Sequence, residues 1–196
     1  MLKVLEKLFP DAEGTELKYS NNWELLLAVI LSAQCTDKKV NEVTRSLFKK
    51  YRTLKDYVVA NPREFEKAIY STGFYRMKAK NILAAAKIVQ EKFHGKIPKT
   101  IAELLTIPGV ARKTANVVLG NAYGIIVGVV VDTHVIRLSR LLGLTRHSDP
   151  KKIEVDLMTL VPQKDWFRFS NYLVLYGRRY CPARRHAHLA CPLTGI

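Results

Sequence analysis

Residues 104–120 read LLTIPGVARKTANVVLG, and they place Arg112 and Lys113 side by side where a helix begins just after a Pro108-Gly109 turn. The start of a helix carries partial positive charge, so a cation there is disfavoured by about 0.3–1 kcal/mol. Two readings of Lys113 stand. It is a solvated surface lysine, or it is an amine that holds its proton weakly beside a second cation and a positive helix end, and so can serve as a nucleophile. A second stretch, VVVDTH at 129–134, brings a carboxylate, Asp132, to the start of another helix. As an N-cap it would satisfy helix donors; held in a cleft it could also take a proton from the lysine or a water and stabilise a cation as a leaving group departs. The two roles are compatible.

The elements that must position these groups are helical nearly throughout. Asn21-Asn22 offers an N-cap for WELLLAVILSA, Asp37 can cap KKVNEVTRSLFKKY, and Asn61-Pro62 supplies a cap followed by proline at the first helical position. A longer helix is expected from about Met77 to Phe93, then IAELLTI, the turn at 108–112 and a helix from Lys113 to about Tyr123. Within that last helix Ala115, Val118, Leu119 and Ala122 share the face to be buried, and Lys113, Asn116 and Gly120 lie nearly opposite. Asp132 can start THVIRLSRLLGL, Asp149-Pro150 can start KKIEVDLMTLV, and DWFRFSNYLVLYGRRY completes the set. The β-branched run IIVGVVV has strand character but no partner run, so it is read as a connector at 124–131 in an all-α fold.

Composition narrows the partner. Thirty-two Lys plus Arg against 17 Asp plus Glu leaves a net charge of +15, which favours a polyanion, with nucleic acid ahead of an anionic membrane. The apolar runs at 25–31 and 125–131 are too short to span a bilayer, and the N-terminus shows no secretory signal. Three cysteines argue against a secreted disulfide framework, so a cytoplasmic, nucleoid-associated protein is expected. Two helices joined by a tight P-G-V turn form a helix–hairpin–helix pattern. Such a turn aims backbone N–H groups at a DNA phosphate without reading sequence; an ordinary αα-hairpin has the same turn chemistry.

LLTIPGVARKTANVVLGNAYG followed by VVVDTHVIRL closely resembles the endonuclease III family of DNA glycosylases, in the helix–hairpin–helix–Gly/Pro–Asp superfamily. The likeness extends to LLLAVILSAQCTDKKVNEVT (25–44), TGFYRMKAKNIL (72–83) and GKIPKTIAELLTIPGV (95–110), in the family's order and near its spacing. It implies two helical lobes: a six-helix barrel over residues 22–127, and a second lobe from 1–21 with 128–196, with the active site between them. It also implies a monomer that acts on damaged double-stranded DNA, removing oxidised pyrimidines. Lys113 falls on the family's catalytic lysine, which attacks C1′, displaces the base and forms a Schiff base before β-elimination, and Asp132 falls on its catalytic aspartate. Gln34 and Phe74 fall in the two loops that enter the duplex where the damaged base has left. For Phe74 a core phenylalanine is an equal alternative. Backbone at Ile107, Gly109 and Ala111 would hold phosphate, with Arg112 and His134 also on the DNA side, although packing could account for His134.

The chain departs from the family in places. Ala111 replaces the hairpin's usual second glycine, one extra residue separates Lys113 from Asp132, and GIIVGVVV stands where a proline is common. Two alternatives to the bifunctional enzyme are a non-catalytic helix–hairpin–helix DNA-binding module and a mismatch-specific glycosylase of the same fold; retention of Lys113 and Asp132 counts against the first, and Lys113 counts against the second. The family commonly carries a C-terminal iron–sulfur cluster on four cysteines. Aligned on YGRRYCPARRHAHLACPLTGI, Cys181 and Cys191 take the first and third places, His188 takes the second, and Ile196 is reached one residue before the fourth. Cys35, in SAQCTD, reads as a buried structural cysteine. A zinc site from Cys181, Cys191 and either His186 or His188 lacks a clear fourth ligand, so a metal-free protein without an iron–sulfur cluster is expected, its tail held by Leu189 and Leu193.

Overall fold

The computed structural model describes residues 1–10, 12, 14–188 and 191–193. Its described residues contain helices and turns but no strand, and they divide into two compact units, residues 16–125 and residues 1–15 with 126–196. Each unit has its own apolar core.

The first unit is built around α2 (Asn22–Leu31), whose sequence is apolar on every side and whose residues Trp23–Leu31 are all buried. A helix of that composition can only be central. Around it pack the amphipathic α3 (Asp37–Lys50), α6 (Tyr75–Lys92) and α8 (Arg112–Tyr123). Short helices α4 (Leu54–Val58) and α5 (Pro62–Ile69) close one side against α6, and Trp23, Tyr51, Tyr57 and Phe65 meet there as an aromatic cluster. α7 (Ile101–Leu104) precedes the hairpin turn. Asn61 caps α5 as expected, accepting the Arg63 and Glu64 N–H groups, with Pro62 in the first turn. The cap of α3 is Thr36, whose hydroxyl accepts the Lys39 N–H at 3.3 Å, and Asp37 lies one residue inside. Both residue types suit the position, and the hydroxyl one residue earlier takes it.

The second unit pairs α1 (Leu2–Leu8) with α9 (Thr133–Leu141), α10 (Pro150–Leu160) and α11 (Trp166–Arg179). Leu5 of α1 is fully buried, and Phe9 stacks on Tyr172 of α11. The connector is extended rather than a strand, and its Val130 N–H donates to the Ser170 hydroxyl of α11 at 2.9 Å. No helix among the described residues is long and apolar enough to cross a membrane.

Candidate active site

The hairpin turn between α7 and α8 is held from below. Ile107 and Val110 are buried, the Ile107 N–H donates to the Leu104 carbonyl at 3.1 Å, and the Val110 N–H donates to the Ile107 carbonyl at 3.1 Å. Gly109 adopts φ +82°, and a Cβ there would meet the Asn81 Cβ of α6 at 3.1 Å, so both conformation and space call for glycine. The Ile107 N–H is thus committed within the fold. Among the described residues the N–H groups of Gly109 and Ala111 have no backbone partner, and Ala111, at the N-cap of α8, offers no side chain to the helix donors.

Arg112 and Lys113 follow in the first turn of α8, both exposed. Ala115, Val118 and Leu119 are fully buried on the expected face. Asn116 is buried too, although it was expected on the open face with Lys113. α8 packs against both α2 and α7, so its covered arc is wider than one stripe.

Gln34 and Phe74 sit on two loops of the first unit, each with a left-handed backbone at φ +53° and +47°. That region is uncommon for residues with a Cβ, and finding it twice on candidate DNA-facing loops points to constraint at those positions. Phe74 is 60% exposed, which removes the core alternative. Both loops are tied to one buried residue that sequence reasoning missed. The Lys78 side chain of α6 is 3% exposed, and its amine donates to the Leu31 carbonyl at the end of α2 and to the Thr72 carbonyl just before Gly73-Phe74, each at 2.8 Å. Burial holds this amine below the usual lysine range. Lys78→Met keeps the length but leaves two buried carbonyls without donors, so chemical denaturation should show a loss of about 2 kcal/mol or more. An unchanged midpoint would mean that the clamp carries no weight.

In the second unit Asp132 is the N-cap of α9, its Oδ1 accepting the Val135 N–H at 2.9 Å, and it remains partly accessible. His134 in the next turn is half-buried and lies against α11: a Cβ on Gly177 would meet its Nδ1 at 2.5 Å. Packing therefore accounts for the ring's position. Arg137, Arg140, Arg146, Arg184 and Arg185 line an open cleft of the same unit, a concentration of positive potential suited to phosphate.

At the end of this unit Cys181, His186, His188 and Cys191 converge, with their ligand atoms all within 4.8 Å of one another. Cys181 Sγ stands 3.9 Å from His188 Nδ1, and Cys191 Sγ stands 3.5 Å from His186 Nε2. Leu193 is buried, its N–H donating to the Tyr176 hydroxyl at 3.1 Å, whereas Leu189 falls outside the described residues. Cys35 is only half-buried, against the first unit's core.

The family model for HhH-GPD superfamily base excision DNA repair proteins matches residues 27–163. Over all 196 residues the chain is 51% identical to endonuclease III of Synechocystis sp., covering 89% of that protein. The chain belongs to the endonuclease III family. Endonuclease III of Bacillus subtilis is 44% identical, again over the whole chain and 89% of its own length. Two solved endonuclease III structures, a non-covalent DNA complex and a trapped covalent DNA intermediate, superpose with TM-scores of 0.92 at 44% identity. They cover 98% of this chain, and 89% and 90% respectively of their own.

For this endonuclease III family member the expectation of a metal-free tail is corrected. Alignment on four cysteines counted two thiols and one histidine, but the fold turns both histidines of H-x-H toward the thiols, so four metal-binding groups meet at one point. The signal was present as C-x4-H-x-H-x2-C. It was obscured by matching it to a different ligand pattern.

Proposed function

We propose that the protein is a base excision repair DNA glycosylase with AP lyase activity, acting on oxidised pyrimidines in double-stranded DNA at the nucleoid. The observation that carries this reading is Lys113: an exposed amine in the first turn after the hairpin, in a chain that aligns over its whole length with endonuclease III. Its Nζ attacks C1′ of the damaged nucleotide. The N-glycosidic bond breaks, and its electron pair leaves with the base, which takes up a proton. Loss of the amine proton and opening of the sugar give the imine, and removal of a C2′ proton then expels the 3′ phosphate by β-elimination. The Asp132 carboxylate stabilises the sugar cation and accepts the amine proton.

The remaining residues bind and distort the duplex. Gly109 and Ala111 supply backbone donors to phosphate, Ile107 anchors their turn, and Arg112 adds charge beside them. Gln34 and Phe74 fill the space that the flipped nucleotide vacates, which offsets part of the cost of unstacking. His134 orients the start of α9, and with it Asp132.

Duplexes containing thymine glycol, an abasic site or no lesion test this directly. Cleavage of the first two, with a covalent adduct when borohydride is present, is the expected result. Binding to all three without cleavage or adduct would leave a DNA-binding module in place of an enzyme.

A further inference from the structure

The iron–sulfur cluster that the family resemblance implies does not fit these donors. A cubane cluster is held by four thiolates, one on each iron, whereas among the described residues two thiols and two imidazoles meet here. A two-iron centre of mixed ligation would place both cysteines on one iron and both histidines on the other. Here each cysteine is paired with a histidine instead, Cys181 with His188 and Cys191 with His186. Spacing decides further. With zinc–sulfur bonds of about 2.3 Å and zinc–nitrogen bonds of about 2.0–2.1 Å, the edges of a single tetrahedral site run from about 3.3 to 3.8 Å. Separations of 3.5 and 3.9 Å, with every pair inside 4.8 Å, lie within or about an ångström beyond those edges, so small side-chain shifts close the four groups on one metal ion at the centre.

We propose that Cys181, His186, His188 and Cys191 bind a single zinc ion. The surroundings are those of a built site. His186 Nδ1 lies 2.9 Å from the Arg184 carbonyl, and donation there fixes the tautomer that leaves Nε2 as the ligand, the outer hydrogen bond typical of metal-bound histidine. Arg137 reaches Cys181 with one guanidinium nitrogen on Sγ at 3.5 Å and the other on the carbonyl, which fixes the position of this ligand. Both cysteines are buried. Two thiolates and Zn²⁺ cancel in charge, so the site is neutral, with its cysteine side buried and its His188 side exposed. The ion fastens the segment after α11 back onto the second unit, where it presents Arg184 and Arg185 to the basic cleft.

The test uses the full chain, produced with iron and zinc both supplied and purified without oxygen. Elemental analysis should find about one zinc per chain, the solution should be colourless, and exchange with cobalt should give the strong visible bands of a tetrahedral thiolate site. His186→Ala should release metal to a competing chelator at least about 100-fold more readily, since losing even an outer-shell partner costs 10–100-fold. His186→Cys, which keeps four ligands, should restore retention and the cobalt spectrum. His186 has no place in the four-cysteine pattern, which makes it the discriminating residue. Stoichiometric iron with a broad visible band, no bound metal, or zinc whose retention ignores His186→Ala would each overturn the proposal.

Discussion

Lys113→Ala should abolish covalent trapping on abasic-site DNA while leaving the protein folded and able to bind. Borohydride delivers hydride to an imine carbon, and only an amine nucleophile makes that imine, so removing the amine removes the adduct rather than slowing it. The side chain is exposed in the first turn of α8 and outside the buried face of Ala115, Val118 and Leu119. Its loss therefore creates no cavity, and the melting temperature should move little. Affinity for DNA should also largely survive, because it is spread over many phosphate contacts and one cation accounts for about one unit of the salt slope. Lys113→Gln controls for length. A mutant that traps like wild type would move the nucleophile to another amine.

Asp132→Asn should lower base excision by about 100-fold or more, within the range usual for losing a positioned acid–base group, with almost no change in stability. The two readings of this residue predict different outcomes. As a cap, its Oδ1 accepts the Val135 N–H, and asparagine caps as well as aspartate. As a carboxylate, it carries the charge that a sugar cation requires, and asparagine carries none. Single-turnover excision beside thermal melting separates the two effects. A variant that melts early but excises normally per folded molecule would make Asp132 a cap and nothing more.

What could be read from the sequence was local. Asn61-Pro62 and Asp149-Pro150 announce helix starts within a few residues, and both caps form. The VVVDTH stretch likewise delivers Asp132 to a helix start because cap and connector are adjacent in the chain. What escaped depended on distance. Lys78 reads as one more lysine in a charged helix; its burial follows from a carbonyl 47 residues away. The burial of Asn116 required knowing that two neighbours cover α8. That Phe74 is exposed rather than a core residue goes with the left-handed backbone after Gly73 at the start of α6, which no residue-type pattern announces. The metal-ligand group needed the fold of the tail to bring H-x-H to both cysteines.

The cap at Asp132 also bears on how easily such a chain changes its occupation. Aspartate and asparagine codons differ at a single base, and the substitution keeps the hydrogen bond that starts α9. The side chain is partly accessible, so the amide fits where the carboxylate sits. On the role proposed for Asp132, one point mutation would separate a repair enzyme from a folded protein that grips damaged duplex without excising, and folding selection alone would not remove such variants from a population. A lesion-shielding or lesion-reporting variant would then lie one codon change from this chain, with chemistry rather than folding as the barrier between them.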